Sequence, residues 1–175
     1  MRLRTCTLSA LTLSAALFAG TAAMAADLPK EGTFKATYSS AGTVKATQVG
    51  KEITLGTFDE NGLTVGDGIL DHVTWHCFGL LDEVSGMEEW RGYCMMTDPA
   101  GDQIAANVAS DGKYATDAKS FKGTGTMING TGKYAGISGS WAFEGHSPEF
   151  RTAVEGTYAQ YGSVQGSYKL QPLTR

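Results

Sequence analysis

The chain has 175 residues, with 18 acidic side chains against 14 basic ones and a net charge of −4. That balance argues against nucleic acid and anionic membrane as partners, since both select for clustered positive charge. The length suits one domain with a sizeable core.

The first element in chain order is a leader. Arg2 and Arg4 precede the apolar run Leu8 to Ala19 and the small-residue stretch Thr21 to Ala26, the order of a secretory signal peptide cleaved after Ala25. The run falls short of the roughly 20 apolar residues that a spanning helix needs. Cleavage removes Arg2, Arg4 and Cys6, which reduces 14 basic residues to 12 against 18 acidic ones and leaves a net charge of −6. A single domain over residues 26–175 is expected, in the periplasm or outside the cell, where paired cysteines oxidise.

Beyond the leader the pattern is that of strands. Phe34, Ala36 and Tyr38 alternate with Thr33, Lys35 and Thr37, and Ile53 with Leu55 repeats the period of two. Turn chemistry falls between such runs at Asn61-Gly62, Gly66-Asp67-Gly68, Ser85-Gly86, Asp98 to Gly101, Ser110 to Gly112, Asn129-Gly130 and Tyr161-Gly162. No window carries the apolar stripe of an amphipathic helix.

Residues 70–97 read as a hairpin around Ser85-Gly86. If those two residues form the turn, opposed positions sum to 171, and Cys77 faces Cys94 as a non-hydrogen-bonded pair with Cα atoms about 4.5 Å apart. A disulfide accepts that separation, so the spacing predicts a Cys77–Cys94 bond. A redox or metal-binding thiol pair is the rival, without the C-x-x-C spacing such pairs use. The face opposite the cysteines carries His72, His76, Phe78, Arg91, Tyr93 and Met95, with Leu70, Thr74 and Leu80. It is the more continuously apolar face, and Ile104, Ala106 and Val108 are expected to continue it. We therefore assign it to the interior, where its polar members would orient a ligand. The bland alternative is that the histidines bond backbone or stand at the rim. His72 and His76 lie about 13 Å apart on a strand, too far to share a metal, and no metal or other cofactor is implied.

Residues 127–141, M-I-N-G-T-G-K-Y-A-G-I-S-G-S-W, hold four glycines. A phosphate cradle requires a helix after the glycines, and S-W-A-F-E-G reads as strand, so the nucleotide reading fails. A serine-hydrolase elbow needs G-x-S-x-G in a strand-to-helix setting and fails likewise. What remains is a corner: Gly130 and Gly132 permit positive φ, Gly136 and Gly139 allow close backbone approach, and Tyr134 with Ile137 can plug the end of a barrel. The stretch I-N-G-T-G-K-Y-A-G-I-S-G-S resembles the G-G-T-G-K-Y-x-G-x-x-G segment of the allene oxide cyclase and dirigent barrel families and of related secreted bacterial proteins, with Asn129 at the family's first glycine. The resemblance is specific over residues 119–145. It implies an eight-stranded antiparallel barrel with a lumen, often assembled as a dimer or trimer. The cyclisation or radical-coupling chemistry of the plant members does not carry over residue by residue.

Trp141 with Phe143, Val154 with Tyr158, and Val164, Tyr168 and Leu170 complete the alternating runs. Asp71, Glu144 and Glu155 point outward by the same alternation, and His146 falls in a loop. Eight or nine strands on short turns make a closed antiparallel meander barrel the first choice and an open two-sheet sandwich the second. The expected function is non-catalytic binding of a small apolar or aromatic ligand in the lumen, or self-assembly. A cyclase or isomerase is the alternative, which a buried carboxylate with a shifted pKa in a closed-ended cavity would favour. A lumen filled by Phe34, Tyr38, Trp141, Phe143 and Tyr168 would instead mark a purely structural protein.

Overall fold

A computed structural model describes residues 28–147 and 155–171. The expected leader and Val154 lie outside the described residues. Nine strands follow one another: β1 (Glu31–Val49), β2 (Ile53–Gly66), β3 (Thr74–Val84), β4 (Met87–Thr97), β5 (Gln103–Ser110), β6 (Tyr114–Ala115), β7 (Ser120–Gly130), β8 (Ile137–His146) and β9 (Thr157–Leu170). Each pairs antiparallel with its neighbours. Because β1 pairs with β9 and β3 with β4, eight strands close on themselves, and the two-residue β6 adds to the start of β4 as an extra strand. Closure removes the exposed edges that an open sheet would carry. Among the described residues no helix is long and apolar enough to cross a membrane.

The β3–β4 hairpin turns at Ser85 and Gly86, both with positive φ, the backbone of the tight turn that matches strand twist. Its register pairs Val84 with Met87 and Cys77 with Cys94, and the two cysteines are joined with their Cα atoms 4.1 Å apart.

Asn129-Gly130 forms the end of β7, and the chain turns just beyond it at Gly132. Two further expected turns are absent altogether. Asn61-Gly62 lies inside β2 and Tyr161-Gly162 inside β9. The reason is tertiary. Gly62 stands opposite Trp75, whose indole lies on its backbone, and a Cβ there would collide with that ring. Gly162 gives the same room to the ring of Tyr38. Local turn propensity yields where a bare backbone lets a large aromatic lie flat against the inner wall.

The two ends of the barrel differ. At one end Ile69, Leu70 and Val73, from the short connection between β2 and β3, pack as core with Tyr134 and Ile137 from the glycine-rich connection between β7 and β8. The opposite end is framed by the β3–β4 turn, β6 and the start of β9. Phe34, Ile104, Ala106 and Tyr168 belong to the same core.

Candidate functional site

The inward side chains of a closed sheet converge on its axis, and here they enclose a cavity of about 300 Å³. It is lined by Tyr38 and Val44 of β1, Phe58 and Glu60 of β2, Trp75 and Cys77 of β3, and Glu88 and Trp90 of β4. Phe143 of β8 and Tyr158 of β9 complete the circle. The rings interlock: Trp90 meets Phe58 edge to face and Phe143 at a tilt, at centroid distances of 5.9 Å each, and Tyr38 meets Trp75 edge to face at 6.2 Å. Phe34, Trp141 and Tyr168 are buried as core, yet the lumen as a whole is not filled.

Polar groups enter this aromatic wall at a few points. Glu60, 9% exposed, accepts a hydrogen bond from the Ser40 hydroxyl at 2.5 Å. Burial pushes its carboxyl up to about 6, and the Ser40 bond only partly opposes that. Glu88 accepts from the Tyr114 hydroxyl. Its carboxyl is also raised, by burial first and by the charge of Glu83, against the lowering effect of Tyr114. The Tyr38 hydroxyl is buried with no hydrogen-bond partner among the described residues. Burial and the nearby Glu60 charge hold that phenol above its ordinary range. Tyr158 is raised in the same way, by burial, then Glu60, Asp59 and Glu88, and its ring lies over Gly42, where a Cβ would strike it. Both tyrosines are therefore neutral hydrogen-bonding groups at any ordinary pH.

The closed end carries a different arrangement. Asp98 is 7% exposed and accepts from the backbone N–H groups of Ala100 and Asp102 and from the Tyr134 hydroxyl. The Lys133 ammonium lies 2.5 Å from Asp98 Oδ2. Burial resists ionisation, but the Lys133 and backbone donors outweigh it and hold the carboxyl below its usual value. The glycine-rich connection is thus fastened to the Asp98–Asp102 loop. Gly132 has a φ of 52° and touches Asp102 so closely that a Cβ would overlap its carboxylate. Gly136 and Gly139 also have positive φ and run against the backbone of Gln171 and Ser167. Gly130 sits against Tyr134, and Tyr134 is 3% exposed.

The interior assignment of the hairpin is reversed. Cys77, Cys94 and Met96 are buried with Trp75 and Trp90 packed beside them, whereas Phe78 (48% exposed) and Tyr93 (55% exposed) are on the outer face with Met95 and Leu80. His76 and Arg91 are outside too, paired with Asp59 and Asp82 at 3.1 Å each. His72 precedes β3 in a positive-φ turn and pairs with Asp71 at 2.7 Å, so it shares no strand face with His76. The physical reason is register. The Asp98–Asp102 loop pairs Thr97 with Gln103, so Ile104, Ala106 and Val108 stand opposite Met96, Cys94 and Gly92 rather than continuing the Tyr93 face. A one-residue offset exchanges the two faces of a strand. Glu60 was missed for a related reason: once Asn61-Gly62 is not a turn, Phe58, Glu60, Gly62 and Thr64 alternate onto the inner face.

Fold and site together define a closed eight-stranded antiparallel barrel with an aromatic, acid-bearing lumen. No family model matches the sequence, and no curated protein matches it. Two of the similar solved structures bear on the fold. One is a protein of unknown function of the DUF3224 family from Shewanella oneidensis, at 17% identity and a TM-score of 0.53, covering 81% of this chain and 99% of that one. The other is the pterocarpan synthase dirigent protein GePTS1, at 10% identity and a TM-score of 0.53, covering 83% of this chain and 90% of that one. At these identities the likeness is one of fold.

Proposed function

We propose that the chain binds a small apolar or aromatic molecule in its lumen, after export directed by residues 1–25. One observation carries the reading. A cavity of about 300 Å³, walled by aromatic rings and supplied with a few convergent polar groups, survives in the middle of a barrel whose far end is plugged. That volume matches the lower end of the ligand pockets of proteins, and so fits a guest of one or two rings. The Cys77–Cys94 bond fits an oxidising compartment. All three tryptophans of the chain line the cavity, which supplies the test. Titration with benzene- to indole-sized compounds should shift or quench tryptophan emission saturably, with micromolar dissociation constants. A panel that leaves the emission unchanged overturns the reading.

The outer face supports self-assembly as a second reading. Phe78, Leu80, Tyr93 and Met95 form a contiguous exposed apolar patch, with Phe78 and Tyr93 rings 6.2 Å apart, rimmed by the His76–Asp59 and Arg91–Asp82 pairs. Sedimentation should give a dimer or trimer that Tyr93→Lys converts to monomer. A wild-type monomer at high concentration excludes it. The cyclase or isomerase alternative rests on the lumen itself. Glu60 can take and release a proton near neutrality beside the free hydroxyl of Tyr38, which is what proton-transfer catalysis on a bound guest requires. Its test is conversion of a bound compound that stops in Glu60→Gln.

A further inference from the structure

The charge inside the lumen is one-sided. Glu60 and Glu88 line the cavity, Glu83 bears on Glu88, and no Lys, Arg or His appears among the described lining residues. The carboxylates are held by neutral hydroxyls alone, from Ser40 and Tyr114. A buried carboxylate without a cation is unfavourable, and a neutral guest makes it worse by displacing the water that remains. The rings of Trp75, Trp90, Phe58, Phe143, Tyr38 and Tyr158 line the same space. Aromatic faces carry negative potential, so they attract a cation and repel an anion.

We propose that the guest is a small organic cation: an ammonium group on an aromatic or short alkyl body, its charge against Glu60 and its body among the rings, in a lumen whose other lining charge, Glu88, is also negative. This deepens the lumen-binding reading and rests on it. The ammonium donates to Glu60, and the buried Tyr38 hydroxyl accepts a second N–H of the same group. The aromatic body takes the remaining space of the lumen, against the rings that line it. Anionic guests are rejected by the carboxylates, and neutral ones are penalised by desolvation of Glu60.

The groups that face Glu60 settle how the affinity depends on pH. Ser40 and Tyr38 come from β1 and Tyr158 from β9, β3 offers the non-titrating Cys77–Cys94 bond, and Glu88 of β4 lines the same cavity. The tyrosines are neutral throughout, and a primary amine stays protonated to well above neutrality, so the two glutamates are the lining groups whose charge changes as pH falls, both with carboxyls raised by burial. Affinity for the amine should therefore fall as pH drops through about 6, where Glu60 takes up its proton.

The experiment uses three probes of one shape, 2-phenylethylammonium, 2-phenylethanol and phenylacetate, titrated into the intact protein by calorimetry and tryptophan fluorescence. At pH 8 the amine should bind at least about tenfold more tightly than the alcohol, and phenylacetate most weakly. Glu60→Gln should remove most of that preference, weakening the amine and strengthening the alcohol, which then desolvates no carboxylate there, and Glu88→Gln should reduce the preference by a smaller factor. If alcohol and amine bind alike, or if the preference survives in both variants, the cation proposal is overturned and lumen binding stands. If none of the three binds and the wider aromatic panel also fails, both readings fall together.

Discussion

The barrel buries a carboxylate at its plugged end and another in its lumen, and treats them in opposite ways. Asp98 meets two backbone N–H groups, a tyrosine hydroxyl and the Lys133 ammonium, and its carboxyl is held below the ordinary range. Among the described residues Glu60 meets one serine hydroxyl and no cation, and its carboxyl is pushed up to about 6. A fold that needs a buried acid for its own cohesion supplies the counter-charge along with it. Where the counter-charge is missing, the acid costs stability, and a role outside the fold accounts for its presence.

The largest expected effect lies at the plugged end. Asp98→Ala removes four hydrogen-bond or ion-pair partners at once and strands Lys133 beside a buried gap, so unfolding by urea should lose about 3–5 kcal/mol. The pH dependence follows from the direction of the shift. Because the folded carboxyl is depressed, its stabilisation is present above the unfolded value near pH 4 and disappears as pH falls through the folded value. Wild type should therefore lose stability below about pH 4, and the variant should lose less over that window. A variant as stable as wild type at pH 7 would end the distinction drawn between the two acids.

The disulfide tests the wall between the two ends. It closes a loop with a sequence separation of 17 and places Cys77 opposite Glu60 across the β2–β3 ladder. Replacing both cysteines with alanine should lower stability by about 3 kcal/mol. Trp75 and Trp90 lie two and four residues from the bridge along β3 and β4, so loosening it should also broaden tryptophan emission. A loss of stability with unchanged emission would show that the lumen keeps its shape without the bond.

What was legible in the sequence divides along the same line between local and tertiary causes. The closed barrel follows from alternation and turn chemistry. The β3–β4 register follows from the two-residue turn at Ser85-Gly86 alone, because positive φ at both positions fixes which residues face each other. The inward direction of Phe34, Trp141 and Tyr168 is legible in the same way, since their outward neighbours are polar or, for Ala142 beside Trp141, small. The hairpin faces are not, because both are apolar. One is core and the other is an exposed patch around Phe78 and Tyr93, and only the five-residue loop from Asp98 to Asp102 sets their relation to Ile104 and Ala106. That loop is fixed by hydrogen bonds to the Asp98 side chain, which a hydropathy pattern does not record. Glu60 was hidden by its neighbours. Asn61-Gly62 is a strong turn signal in isolation, and it is Trp75, thirteen residues further along the chain, that needs the glycine within a straight strand.

The smallest expected effect is the most telling, because its sign is opposite to that at Asp98. In the folded chain the carboxyl of Glu60 is raised, so its protonated form is the one the fold favours. The associated stability is fully present below the ordinary glutamate value and is lost as pH rises through about 6. Glu60→Gln keeps an acceptor for the Ser40 hydroxyl and removes the charge. It should be more stable than wild type by about 2 kcal/mol at pH 8 and indistinguishable from it at pH 4. Unfolding by urea at the two pH values measures this directly. A substitution that stabilises the fold while abolishing selective binding would identify Glu60 as a residue kept for its ligand. If Glu60→Gln is instead neutral or destabilising at pH 8, a counter-charge already compensates the carboxylate in the free protein. The contrast with Asp98 would then be one of position in the barrel alone.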